Sequence, residues 1–127
     1  MVYAASAIIL KDKKILLIKR ADYTPIFPNT WACPGGRGEK GETPERVVER
    51  ELKEEMNLNF KPTRLFAIGQ YKDRELFRYL GEWSGEINIQ EEEIEEYGWF
   101  SYKETKKLEF GFDYKEIIEK LHKEKLI

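Results

Sequence analysis

At 127 residues the chain suits one domain with one hydrophobic core, spanning 1–127, and is too short for two. Its 22 Lys and Arg face 24 Asp and Glu, a net charge of -2 with the signs interspersed, which excludes the basic footprint of a polymeric nucleic-acid binder. A lone cysteine, Cys33, excludes an intrachain disulfide, no apolar run nears the ~20 residues of a membrane span, and MVYAASAIIL lacks a signal-peptide pattern, so a cytoplasmic protein without a membrane partner is expected.

In chain order, the apolar run Val2 to Leu10 predicts a buried strand, and the turn at residues 11–14 leads to a second, Ile15 to Lys19, as a hairpin. Pro25, Pro28 and Pro34 make residues 22–34 an extended loop leading into Gly35-Gly36. A helix follows over about 44 to 56, with Thr43 as N-cap, Pro44 in the first position, Glu45 at the positive end of the dipole and Asn57 in the left-handed place beyond the last turn. Leu65 to Tyr71 and Glu75 to Trp83 predict two more strands, Ile87 to Ile89 a short continuation, and Trp99-Phe100 another after the acidic run Glu91 to Glu96. Ser101 caps a short helix to Lys107, and Asp113 a last helix whose buried stripe is Ile117, Ile118 and Leu121.

The central helix is the informative element. Val48, Leu52 and Met56 form an apolar stripe, and Glu51, Glu54 and Glu55 fall on one face beside it, where like charges repel unless a cation lies between them. Alone, such acids read as a solvated surface. Here a glycine pair that brings backbone amides and carbonyls near a ligand precedes them, so that Gly36 is a candidate substrate contact. The hard oxygen donors suit Mg2+, with Mn2+ as the alternative, and phosphate bound through the ion.

Gly36, Glu42, Arg50, Glu51, Leu52, Glu54, Glu55 and Leu58 resemble the Nudix box, G-x5-E-x7-R-E-U-x-E-E-x-G-U, with Asn57 in place of its glycine. Asn tolerates the left-handed conformation that glycine serves there. The stretch from Trp31 to Gly36 is similar to MutT-type members. The resemblance implies an α/β fold, an α/β/α sandwich around a mixed, curved sheet. It implies a pyrophosphohydrolase for a nucleoside triphosphate or other nucleoside diphosphate-X compound, in which water attacks phosphorus. Its metal would be held by Glu51, Glu54, Glu55 and the Gly35 carbonyl. Glu51 is then the principal ligand, and Glu42 supports loop and helix. Arg50 orients Glu51, or else is an i, i+4 surface partner of Glu54.

The general base is a box glutamate or an acid of the later run, where Glu96, or Glu95, is nearest by position. Arg20 resembles a phosphate-contacting arginine of MutT-type enzymes, with a plain surface arginine as the other reading. His122, the sole histidine, has no acid or nucleophile partner in sequence, so a histidine-dependent triad is excluded, and Cys33 has no histidine to activate it. Tyr23, Phe27 and Trp31 stack on a base or belong to the core. The small-molecule partner is a nucleotide, the oligomeric state monomer or homodimer. A catalytically silent nucleotide-binding module is the competing reading. Isomerisation of a diphosphate is disfavoured, since it calls for further metal-binding histidines.

Overall fold

A computed structural model describes residues 2–127. The strands are β1 (Val2–Ile8), β2 (Leu10–Lys11), β3 (Lys14–Arg20), β4 (Trp31–Ala32), β5 (Gly35–Arg37), β6 (Asn59–Tyr71), β7 (Arg74–Ser84) and β8 (Ile94–Phe100). The helices are α1 (Pro44–Met56), α2 (Tyr102–Thr105) and α3 (Tyr114–Lys123). The chain divides into two compact units, residues 2–9 with 34–91 and residues 10–33 with 92–127.

In the first unit β5, β1, β7 and β6 form a sheet in that order. β1 runs antiparallel to β5 and parallel to β7, so the sheet is mixed, in agreement with the α/β class expected from sequence. Helix α1 lays Val47, Val48, Leu52 and Met56, all 0% exposed, against this sheet. Ala5 and Ala7 on β1 are small enough for the helix to approach closely. Each such aliphatic side chain contributes about 1.5–3 kcal/mol by leaving water. Tyr79 on β7 donates to Glu45 Oε1 at 3.0 Å and ties the first turn of the helix to the strand.

The second unit is built on β3, which pairs antiparallel with β2, β4 and β8. Ile15 to Ile18 are all buried, the continuous apolar run of a strand covered on both faces. Ser101 and Glu104 exchange hydrogen bonds in a capping box that starts α2. Tyr114, Ile117, Ile118 and Leu121 are the buried face of α3. Asp113 stands at its N-cap position but makes no side-chain capping bond.

Four expectations about elements are corrected. The run Val2 to Leu10 is two strands: β1 ends at Ile8, and β2 alone makes the hairpin with β3, across a turn in which Asp12 (φ 52) and Lys13 (φ 63) are left-handed. No glycine or proline marks the break, and a two-residue hairpin turn of this kind accepts Asp. The proline-rich loop is shorter than expected because Trp31 and Ala32 pair with Lys19 and Ile18 as β4. Residues 87–89 form no strand; instead Asn88 N–H donates to Met56 O at 3.0 Å and Gln90 N–H to Glu55 O at 2.7 Å, closing the C-terminal end of α1. Glu95 and Glu96 lie on β8 and not in a loop.

Candidate metal and phosphate site

The ends of α1 set where its acids fall. Thr43 Oγ1 accepts from Arg46 N–H at 3.3 Å, and Asn57, at φ 59 and ψ 28, closes the helix in the left-handed conformation. Between these ends Arg50 organises the polar face. Its Nε and Nη2 donate to the two carboxylate oxygens of Glu42, both at 2.8 Å. Its Nη1 donates to Glu51 Oε1 at 2.9 Å and to Glu54 Oε2 at 3.2 Å. Arg50 thus contacts Glu51, its neighbour in sequence, and Glu54, four residues on. The Arg50 hydrogen bonds, with the Glu39 amide next, hold the Glu42 carboxyl down to about 2. Glu42 in turn raises the Arg50 value above that of a free guanidinium. The Tyr3 hydroxyl donates to the Glu42 carbonyl, anchoring the loop to β1.

Strand β5 supplies the backbone side of the site. Pro34 O accepts from Ala7 N–H and Gly38 N–H donates to Tyr3 O, both at 2.9 Å, so the even-numbered residues bond β1. By the alternation of an antiparallel ladder, Gly35 and Arg37 turn their backbone groups off the sheet edge. Two side chains of α1 meet them there. Glu55 Oε1 accepts the Gly35 N–H at 3.0 Å, and Arg50 Nη2 donates to the Arg37 carbonyl at 3.2 Å. A side chain at Gly36 would displace the Glu51 carboxylate, since a Cβ there would sit 2.5 Å from its carbon.

The acids are unequal. Glu55 is 7% exposed, and burial first, then the charge of Glu51, pushes its carboxyl well above the ordinary range against the Gly35 amide, which lowers it. Burial raises Glu51 too, with Arg50 opposing and Glu54 and Glu91 adding to the rise. Glu54 is open, its side chain 59% exposed. A buried carboxylate beside a second one is a standing demand for positive charge. All donors are hard oxygens, so the set fits a hard divalent cation. Among the described residues no three His, Cys, Asp or Glu side chains form a ready-made ligand group. Arg50 Nη1 holds Glu51 and Glu54 from one side, and an ion would have to take oxygens from that contact.

Gly35, Gly36, Glu42, Arg50, Glu51, Glu54, Glu55 and Asn57 thus all belong to the first unit and surround one helix face and one strand edge. Arg20 and Glu96 belong to the second unit. Arg20 Nε donates to the Ile26 carbonyl at 3.1 Å and its guanidinium lies 5.7 Å from the Phe112 ring centre. Glu96 is exposed on β8 in register with Lys19. The acid of the 91–96 run whose charge acts on Glu51 and Glu55 is Glu91. Sequence reasoning missed it because five acids in six residues look alike. The signal was distal: Gln90, bonded to the end of α1, delivers its neighbour there.

Residues 2–121 match the NUDIX domain family, and the chain belongs to that family. Its members act on phosphoric anhydrides and generally use divalent metal ions. Among curated relatives, an ADP-ribose pyrophosphatase of Methanocaldococcus jannaschii is 46% identical over 72 residues, 57% of this chain and 41% of the relative. An NAD-capped RNA hydrolase NudC of Mannheimia succiniciproducens is 32% identical over 101 residues, 76% of this chain and 38% of the relative. The chain thus spans well under two thirds of the length of these relatives. The solved structure of a MutT NUDIX hydrolase from Burkholderia pseudomallei superposes with a TM-score of 0.82 at 28% identity, covering 92% of this chain and 95% of that one. The chain is MutT-like in this sense. No helix among the described residues is long and apolar enough to cross a membrane.

Proposed function

We propose that the chain is a Mg2+-dependent pyrophosphohydrolase, with Mn2+ as a substitute, that cleaves a nucleoside triphosphate or other nucleoside diphosphate-X compound by attack of water on phosphorus. In the MutT-like case it releases a nucleoside monophosphate and pyrophosphate. One observation carries the reading: the buried Glu55 carboxylate beside Glu51 at the Gly35 edge. Glu51, Glu54, Glu55 and the Gly35 carbonyl are the groups that would hold the ion. When bound, it neutralises diphosphate oxygens and makes water more acidic at neutral pH.

The residues around it have separable tasks. Arg50 turns Glu51 and Glu54 to one side, and Glu42 fixes Arg50. The bare Gly36 backbone leaves space for Glu51 and for close approach of a phosphate. Two acids stand for the proton of the attacking water. Glu96 has its position before Trp99-Phe100, and Glu91 directly follows Gln90, whose N–H is bonded to the Glu55 carbonyl at 2.7 Å, which favours Glu91. Arg20 remains the candidate phosphate contact outside α1.

The test is a product screen with Mg2+ over nucleoside triphosphates, ADP-ribose, dinucleotides and an NAD-capped RNA oligonucleotide, since relatives carry both ADP-ribose and capped RNA in their names. Anhydride cleavage is expected, and Glu51→Gln is expected to keep the circular dichroism of the wild type while turnover falls about 10³-fold. Nucleotide and Mg2+ binding with no product from any member of the screen establishes the silent binding module instead.

A further inference from the structure

Arg78 lies on β7, an interior strand, with only 2% of its surface exposed. A guanidinium is a costly way to fill a sheet interior, where an apolar side chain of equal length needs no desolvation. Its place therefore calls for a polar reason, and register supplies one. On β1, Ser6 stands beside Arg78 of β7 on one side and Gly35 of β5 on the other. Neighbours in register share a sheet face, two strand spacings or about 10 Å from Arg78 to Gly35. Arg78 Nη1 donates to Ser6 Oγ at 2.9 Å, and Ser6 is itself 2% exposed.

Ser6 also lies hard against Gly35. A Cβ built on Gly35 would stand 2.5 Å from Ser6 Cα and 2.7 Å from Ser6 Cβ. The other edge of Gly35 carries the amide that holds Glu55 Oε1 at 3.0 Å. Arg78, Ser6, Gly35 and Glu55 are thus consecutive links across three strands and a helix.

We infer that Arg78 and Ser6 are positioning residues for the divalent-cation site. Arg78 fixes the Ser6 hydroxyl, Ser6 backs the Gly35 Cα, and the strand edge so placed sets the Glu55 carboxylate through the Gly35 amide. The inference rests on the metal-binding reading above and extends it to two residues outside the group that would hold the ion.

The experiment is Mn2+ titration followed by the electron paramagnetic resonance signal of the free ion, on wild type, Ser6→Ala, Arg78→Met, Arg78→Lys, the Ser6→Ala/Arg78→Met double variant and Glu55→Gln, with melting temperature in EDTA recorded for each. Ser6→Ala and Arg78→Met are expected to weaken Mn2+ binding about tenfold, as loss of a supporting residue does, without a matching fall in melting temperature. Arg78→Lys, which keeps a charged donor, is expected to recover part of the affinity. The double variant is expected to be no weaker than the worse single one, since both cut the same chain of contacts. Affinities within twofold of wild type in folded Ser6→Ala and Arg78→Lys overturn the inference, and Ser6→Ala, which removes one oxygen, serves where Arg78→Met does not fold. If wild type binds Mn2+ and Glu55→Gln does not, the metal reading stands whatever the positioning variants do. If wild type itself binds none, both fall.

Discussion

Glu42 and Arg50 are joined by two parallel hydrogen bonds of 2.8 Å, and this planar fork leaves Arg50 Nη1 aimed at Glu51 and Glu54. An ammonium cannot reproduce it, because a point charge with rotatable donors holds one carboxylate or the other. Arg50→Lys is therefore expected to lower turnover about 10–100-fold through misdirection of Glu51 and Glu54. Steady-state assays with circular dichroism as the folding control check this.

Gly36→Ala asks whether the space beside Glu51 matters. Its new Cβ would stand 2.5 Å from the Glu51 carboxylate carbon, so the acid must move. A displacement of about 1 Å is expected to reduce turnover about 10²-fold. A Mn2+ titration should show weaker binding in the same variant.

The helix end can be tested separately from the chemistry. Asn57 is left-handed at φ 59, where alanine costs about 1–2 kcal/mol and glycine nothing sterically. Urea denaturation should show Asn57→Ala destabilised by about that amount and Asn57→Gly at or above wild type, with kcat little changed in both.

The pH dependence of stability follows from opposite shifts. Glu55 and Glu51 have raised carboxyls, so their contribution is fully present below the ordinary value of 4.5 and is lost as pH rises through the folded-state values. Glu42 is depressed, so its contribution is present above 4.5 and lost as pH falls through about 2. Ionising Glu51 and Glu55 in the metal-free protein therefore costs stability as pH rises, and a bound cation offsets that cost. The rise in melting temperature on replacing EDTA with Mg2+ should be larger at about pH 8 than at about pH 5. Differential scanning fluorimetry measures it.

Much of this was readable because it is local. Thr43, Pro44 and Asn57 bound α1 within fifteen residues, and the Leu52 stripe and the three acids follow from helical spacing alone. What depends on distant pairing was not. Ile9 is as apolar as its neighbours, so nothing local ends β1 at Ile8 and starts β2 at Leu10. Arg78 is one more residue of the predicted strand Glu75 to Trp83, and its burial against Ser6, 72 positions away, depends on strand pairing that no local pattern announces. Glu91 could not be told from Glu96 until Gln90 was seen bonded to Glu55.

The parallel pairing of β1 with β7 also has a consequence for the order of events during synthesis. Val2 aligns with Arg74 and Ile8 with Leu80, so β1 waits for residues 74–80 to be made before one of its two neighbours exists. Such a pairing closes a long loop and is slow to form. Until it does, β1 has only the short β5 beside it, and the glycine edge facing the acids has half its support. A nascent chain halted before residue 74 should therefore carry the complete box and still bind no divalent ion.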